Sequence, residues 1–365
     1  MKDIGIYIHV PFCAAKCPYC DFYSHPPLGG EADRYTSALC GSIRDFSSPE
    51  KLRADTVYFG GGTPGLIGAQ RIGRIISSVR ERFAEAPGCE ITAELNPSAE
   101  DLDFSMLRFA GVNRISVGLQ SADDGELALL GRRHSSKGAR QFVQRAKQAG
   151  FENISLDLMI ALPGQTKEKL KRSVQFCIES GAVHISAYIL KIEPGTVFYH
   201  KRDSLVLPDD DETAELYEYL CSLMRENGFG HYEISNFCLP GYESRHNLKY
   251  WHDEEYLGFG PSAHSFYRGK RYYSPRNMQD FYDGRIVPDG DGGSSEEFIM
   301  LALRLAGGLT EKRYAERFGT AIPQSIRRRA EKFTAAGLAD VSENGIALTE
   351  KGFMVSNALI AEILG

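Results

Sequence analysis

The chain lacks the features that would place it in several simple classes. No run approaches the roughly 18 apolar residues that span a bilayer. The opening residues 1–5 lead straight into an apolar segment without the pattern of a secretion signal, so an exported, disulfide-bonded protein is not expected. Positive charge is also short: 42 Lys and Arg against 48 Asp and Glu give a net charge of -6, which provides no field to draw in nucleic acid. Tryptophan occurs once, at Trp251. Of eight cysteines, Cys40, Cys89, Cys177, Cys221 and Cys238 stand singly and read as small buried apolar side chains. What is present is a globular balance, 42% hydrophobic and 25% charged over 365 residues, enough for one large domain and a small one. A cytoplasmic location is expected; peripheral membrane association and homodimerisation stay open.

The other three cysteines are grouped. Cys13, Cys17 and Cys20 are spaced C-x3-C-x2-C, with Tyr19 just before the last. Three thiolates suit a cubane iron-sulfur cluster and leave one iron without a protein ligand, free to chelate a small molecule through nitrogen and oxygen. A structural zinc site would need His9 or His25 as a fourth ligand, and zinc spacings usually come as paired sets. The C-x2-C-x2-C-x3-C-Pro run of an electron-transfer ferredoxin is missing.

Short β-branched runs at 6–10, 55–59, 91–94, 114–118, 154–158 and 184–188 alternate with helical patterns near 31–47, 67–85, 101–110, 137–149 and 166–180. Such alternation implies right-handed crossovers and a parallel sheet, and six units suit an incomplete (β/α)6 barrel. Chemistry in such barrels gathers at the carboxyl ends of the strands. The cysteine loop follows the first run, Gly60-Gly61-Gly62-Thr63-Pro64 the second, Glu94-Leu95-Asn96-Pro97 the third and Gly118-Leu119-Gln120-Ser121 the fourth. Arg132 stands twelve residues beyond Gln120, and Asp157 closes the fifth run.

Cys13-x3-Cys17-x2-Cys20 with Tyr19 resembles the signature of the radical S-adenosylmethionine superfamily. The resemblance implies a partial barrel, a [4Fe-4S] cluster on the three cysteines, and S-adenosylmethionine chelating the open iron. It further implies that Gly61, Gly62 and Thr63 meet the methionine amine, that Glu94, Gln120, Arg132 and Asp157 contact the cofactor, and that Tyr7 and Tyr19 line it near the cluster. Carboxylates, one guanidinium and glycine amides suit a ligand carrying a sulfonium, an amine, a carboxylate and a ribose diol. The family's Gly-Leu-Pro-Gly-Gln-Thr is here Ala161-Leu162-Pro163-Gly164-Gln165-Thr166, a departure that leaves cofactor binding expected.

Within the superfamily the chain is similar to the oxygen-independent coproporphyrinogen III oxidase-like family. The oxidases extend the motif by a cysteine and carry a long preceding segment. Here Phe22 stands at that position and only twelve residues precede Cys13. His246-Asn247-Leu248-Lys249-Tyr250-Trp251 matches the His-Asn-x-x-Tyr-Trp motif of the family's haem-chaperone branch, and 232–237 and 258–265 fit it too. This implies haem bound through His246, Asn247, Tyr250 and Trp251, delivery to haem-requiring respiratory apoproteins, and no coproporphyrinogen oxidase activity. Radical decarboxylation of coproporphyrinogen III is the alternative, and a nucleic-acid-associated radical enzyme a weaker third. Histidine is the commonest axial ligand of haem iron, and Tyr and Trp can stack on a porphyrin. In the competing reading His246 caps a helix and Trp251 fills a seam. His25, His252 and His264 are further candidate ligands.

The remainder differs in organisation. Pro208-Asp209-Asp210-Asp211-Glu212 places acids at a helix start. After a Gly-rich linker at 288–295 come helices, then a hairpin at 339–348 turned at Glu343-Asn344-Gly345, together resembling a small α+β winged-helix-like domain. The expected division is a barrel over 1–230, a connecting region over 231–290 and the C-terminal domain over 291–365. Arg327-Arg328-Arg329 reads as a solvated helix face in a protein with no nucleic-acid partner.

Overall fold

The computed structural model describes residues 1–99 and 101–365. Six parallel strands form its centre: β1 (Lys2–Val10), β2 (Leu52–Gly61), β3 (Ala84–Leu95), β4 (Arg114–Gln120), β5 (Asn153–Ile160) and β6 (His184–Ile189). The crossovers carry α1 (Glu31–Asp45), α2 (Ala69–Arg82), α3 (Phe104–Ala110), then α4 (Asp124–Leu129) with α5 (Ser136–Gln148), and α6 (Lys167–Glu179). Beyond β6 lie α7 (Val197–Lys201) and α8 (Asp210–Glu226). The helix starts were legible because their caps are: Asp103, Ser135, Thr166 and Asp209 each accept a backbone N–H of the first turn, and Asp209 with Glu212 completes a capping box.

Side chains alternate across each of the six strands. Ile6 and Ile8 of β1, Val57 and Phe59 of β2, Ile115 and Val117 of β4, and Leu156 and Leu158 of β5 are buried in one continuous core with the helices. Their neighbours Tyr7, His9, Tyr58, Glu94, Ser116 and Asp157 occupy the opposite face and meet one another inside the barrel. Barrel interiors are normally packed with branched apolar residues. This one is polar, which marks it as a binding space.

The sheet continues past the six strands. At the β1 edge it adds β9 (Tyr256–Phe259), β10 (His264–Tyr267), β11 (Lys270–Tyr273) and β12 (Val287–Asp291); at the β6 edge it adds β8 (Asn236–Cys238) and β7 (Gly230–Glu233), giving twelve strands in all. The stretch expected as a Gly-rich linker therefore begins as a strand, since β12 pairs antiparallel with β11; its glycines sit where an edge strand leaves the sheet. Between β8 and β9, α9 (Arg245–Trp251) packs against β2, and α10 (Met278–Tyr282) follows β11.

The C-terminal part contains α11 (Ser295–Ala302), β13 (Leu309–Thr310), α12 (Glu311–Phe318), α13 (Gln324–Glu331), β14 (Ala339–Ser342), β15 (Gly345–Leu348), α14 (Glu350–Met354) and α15 (Ser356–Leu364). Strands 13, 15 and 14 form a separate three-stranded sheet, with the hairpin where the Asn-Gly signal placed it. The α+β winged-helix-like arrangement on a partial barrel is as expected. No helix among the described residues is long and apolar enough to cross a membrane.

Candidate functional site

At the carboxyl ends of the strands, Cys13, Cys17 and Cys20 are free thiols in a half-exposed loop. The loop is tied down at three points. Cys13 N–H donates to the His25 carbonyl (3.0 Å), Phe198 N–H donates to the Pro18 carbonyl (2.9 Å), and Tyr19 joins a small apolar cluster with Leu130, Met159, Leu162 and Phe198. Burial, with the facing Cys17 and Cys13 sulfurs, pushes the Cys20 thiol up. Metal coordination reverses that effect by taking thiolates.

The Gly60–Thr63 turn presses directly on this loop. Gly62 N–H donates to the Val10 carbonyl (2.8 Å) and Thr63 N–H to the Phe12 carbonyl (2.7 Å). Thr63 Oγ1 lies 3.5 Å from Cys13 Sγ. A Cβ on Gly62 would fall 2.5 Å from the Phe12 carbonyl oxygen, and one on Gly61, whose φ is +100°, within 2.6 Å of the His9 ring. Only glycine fits either position.

Arg132 links the cysteine loop to β4. Its Nη1 donates to Cys17 Sγ (3.6 Å) and Tyr19 Oη (3.4 Å), and Nη2 donates to the Gly118 carbonyl (2.6 Å). Its Nε is buried with no partner among the described residues, a donor awaiting an acceptor. Gln120 holds φ at +70°, a conformation that costs an L residue and marks the site. Glu94 accepts from the Tyr58 hydroxyl (2.8 Å) and is pushed up to about 7, chiefly by burial, with the Asp157 carboxylate adding to the shift. Asp157 accepts from the Ser116 hydroxyl (3.0 Å) and is raised by burial as well. Tyr7 sits one turn of the pleat below, its hydroxyl 3.1 Å from His9 Nδ1.

These residues fit the expected cofactor. The thiols are unpaired, a buried guanidinium nitrogen lacks an acceptor, and two carboxylates are held where a cation would lower their cost. Two contributors escaped the sequence reading, Tyr58 and Arg114, the latter 1% exposed with Nε and Nη1 unpartnered among the described residues; His9, weighed there only as a zinc ligand, lines the same space and is held at about 4 mainly by burial. The period-two alternation of polar residues along every barrel strand was the available signal.

The expected haem residues lie elsewhere. Strand register sets Gly5 beside Thr56 and Tyr7 beside Tyr58, and α9 closes the barrel below them, at the amino ends. His246 is 1% exposed. Its Nδ1 lies 2.8 Å from Thr56 Oγ1 and its Nε2 2.8 Å from Tyr250 Oη, while the ring stacks on Tyr58 at 5.1 Å. Burial first, then Lys249 and Arg114, holds it neutral, at about 3. Both nitrogens thus meet hydroxyl groups, and the ring ties α9 to the barrel floor. Gly5 makes room, since a Cβ there would lie 2.8 Å from Lys249 Cδ. Asn247 receives the Ser244 cap through its backbone, and Tyr250 and Trp251 are half-buried on the same short helix. Of the other histidines, His25 Nε2 contacts Glu31 (3.0 Å) and His252 Nδ1 contacts Arg313 (2.5 Å).

Comparison with known proteins gives the family. The family model described as the Radical SAM superfamily matches residues 7–177, and that of the HemN C-terminal domain residues 295–355. A protein of Mycobacterium tuberculosis named "Heme chaperone HemW" is 36% identical, covering 100% of this chain and 95% of its own length. Proteins of the same name from Bacillus subtilis (36%, 98% of each chain) and Escherichia coli (34%, 99% of this chain and 98% of that one) are similarly related. The solved coproporphyrinogen III oxidase (HemN) of Escherichia coli shares the fold with a TM-score of 0.82 at 20% identity, over 99% of this chain and 90% of the other.

Proposed function

The chain belongs to the radical SAM superfamily and, within it, to the family of the HemW proteins, and on that premise we propose that it binds haem and passes it to haem-requiring respiratory apoproteins in the cytoplasm. In this reading Cys13, Cys17 and Cys20 hold a [4Fe-4S] cluster. Tyr7, Tyr19, Gly61, Gly62, Thr63, Glu94, Gln120, Arg132 and Asp157 form the S-adenosylmethionine pocket. When bound, the cluster supplies an open iron and one-electron chemistry. The protein's own residues do the rest: Arg132 steadies the Cys17 sulfur and orients an anionic group through Nε, and Glu94 and Asp157 receive a cation. The glycine turn keeps the backbone close, and His246, Asn247, Tyr250 and Trp251 shape the floor.

One observation carries the reading. The resemblance to haem chaperones runs the full length of the chain, while Phe22, 64% exposed at the loop rim, stands where the oxidases place a further cysteine. The test is anaerobic cluster reconstitution followed by haem titration, transfer to an apo-cytochrome, and assay for protoporphyrinogen under reducing conditions. Haem binding and transfer without porphyrinogen turnover is expected. Robust decarboxylation of coproporphyrinogen III would overturn the chaperone reading in favour of the oxidase.

A further inference from the structure

Cys221 stands singly in the sequence, yet the fold gives it company. We propose that Cys221, His231 and Glu350 form a site for a zinc-class divalent cation that clasps the last strand of the barrel sheet to the C-terminal part. One donor atom from each, the Cys221 sulfur, a His231 ring nitrogen and a Glu350 carboxylate oxygen, lies within 4.8 Å of the other two. The site draws on none of the residues assigned to the cluster, to S-adenosylmethionine or to haem.

Three elements bring the donors together. Tyr217, Cys221 and Arg225 follow one another four residues apart on α8, so they form one stripe, and α8 packs against α14. Cys221 is 2% exposed. His231 belongs to β7, which ends the sheet, and its ring is fixed from three sides. It stacks on Phe237 of β8 with centroids 4.3 Å apart at 17°, meets Phe353 of α14 edge-on at 5.2 Å, and has the Tyr217 hydroxyl 3.5 Å from Nε2. Glu350 opens α14, and its side chain is 39% exposed, which gives an ion a way in. Arg225 Nη2 donates to both of its carboxylate oxygens, at 2.6 and 2.7 Å. An ionised carboxylate has about four lone-pair positions, so Glu350 can hold an ion and keep Arg225 as the outer group that orients it.

The donor set selects the ion. A thiolate sulfur is soft and favours zinc over magnesium or calcium, which take oxygen ligands. One thiolate and one carboxylate together neutralise a divalent charge, and burial favours the neutral, ligating imidazole of His231. Zinc sits about 2.3 Å from sulfur and about 2.0–2.2 Å from nitrogen or oxygen, so its ligands stand roughly 3.5 Å apart and these three close on it by small side-chain movements. Binding takes the Cys221 thiolate and releases its proton to solvent. Three protein ligands leave a fourth position for water on the exposed Glu350 side.

The experiment loads the cluster-reconstituted full chain with zinc, removes the excess, and measures zinc and iron together, the iron showing that the cysteine triple remains occupied. One zinc per chain is expected, with a zinc-edge X-ray absorption spectrum of one sulfur and three nitrogen or oxygen ligands, and a higher melting temperature that a chelator reverses. Cys221→Ser and Glu350→Gln should each weaken zinc binding at least tenfold and remove the zinc-dependent rise in melting. Arg225→Gln breaks the same ion pair but leaves the three donors, so it should keep the zinc and its one-sulfur spectrum. Absence of zinc from the cluster-loaded parent chain would overturn the site, as would equal zinc uptake by Cys221→Ser and Glu350→Gln.

Discussion

Glu94 sits among Tyr58, Gly60 and Tyr7 with its carboxyl raised from 4.5 to about 7, chiefly by burial. Below pH 4.5 the group is neutral whether the chain is folded or not. Between 4.5 and about 7 the folded protein keeps the proton that the unfolded chain releases, so stability falls as pH rises through that window, by about 3 kcal/mol in total. A cationic ligand reverses the cost. Binding of S-adenosylmethionine at pH 6 should release a proton, visible as a dependence of the calorimetric enthalpy on the buffer's ionisation enthalpy. Glu94→Gln should abolish that dependence and flatten the pH profile of stability between 4.5 and 7. Equal proton release from the variant would show that another group is titrating.

The elements separate what was readable from what was not. Strands and helices of the barrel follow from β-branched runs and capped helical patterns, and Cys13, Cys17 and Cys20 follow from spacing alone. Thr63 and Arg132 meet around that loop because each lies beyond a strand end, which the order of elements determines, whereas Asp157 sits three residues inside the end of β5 and faces Ser116. The floor was not readable: seven residues of α9 carry no amphipathic signal, and burial of His246 depends on Gly5, 241 positions earlier in the chain, leaving space for Lys249. Nor do the short strands β9 to β12 stand out, since they gain their stability from the edge of β1 and from each other. At the turn after β5, Ala161 adopts φ +58° where the family has glycine. That conformation costs an alanine about 1–2 kcal/mol, and glycine's extra unfolded-state freedom returns about half. Ala161→Gly should therefore stabilise the protein by about 0.5–1 kcal/mol in urea denaturation. A loss of stability would mean that the methyl group packs more usefully than its backbone strain costs.

Across the whole molecule, the barrel and the C-terminal part are joined by a buried charge cluster just after α9. Asp253 is fully enclosed and receives Arg271 Nη2 and Arg317 Nη2, both at 3.3 Å, one from the sheet edge and one from α12. Burial and the neighbouring Glu297 raise its carboxyl to about 6, against the pull of both arginines. Removing Asp253 loses two charge-assisted hydrogen bonds, but leaves two arginines that water still reaches. Asp253→Ala should cost about 1–2 kcal/mol, and should expose the α12 amides to hydrogen exchange ahead of those in β1 to β6. Uniform exchange in both regions would show that the two parts unfold as one body regardless of this joint.

The polar lining of the barrel has a mechanical consequence. A wheel whose hub is polar is carried by its rim, and here the rim is the layer where Ile6, Val57, Val117 and Leu156 meet the helices. Substitutions inside can therefore retune what is bound while the frame stands. Substitutions in that outer layer will collapse the frame, and every site with it, whatever the lumen contains.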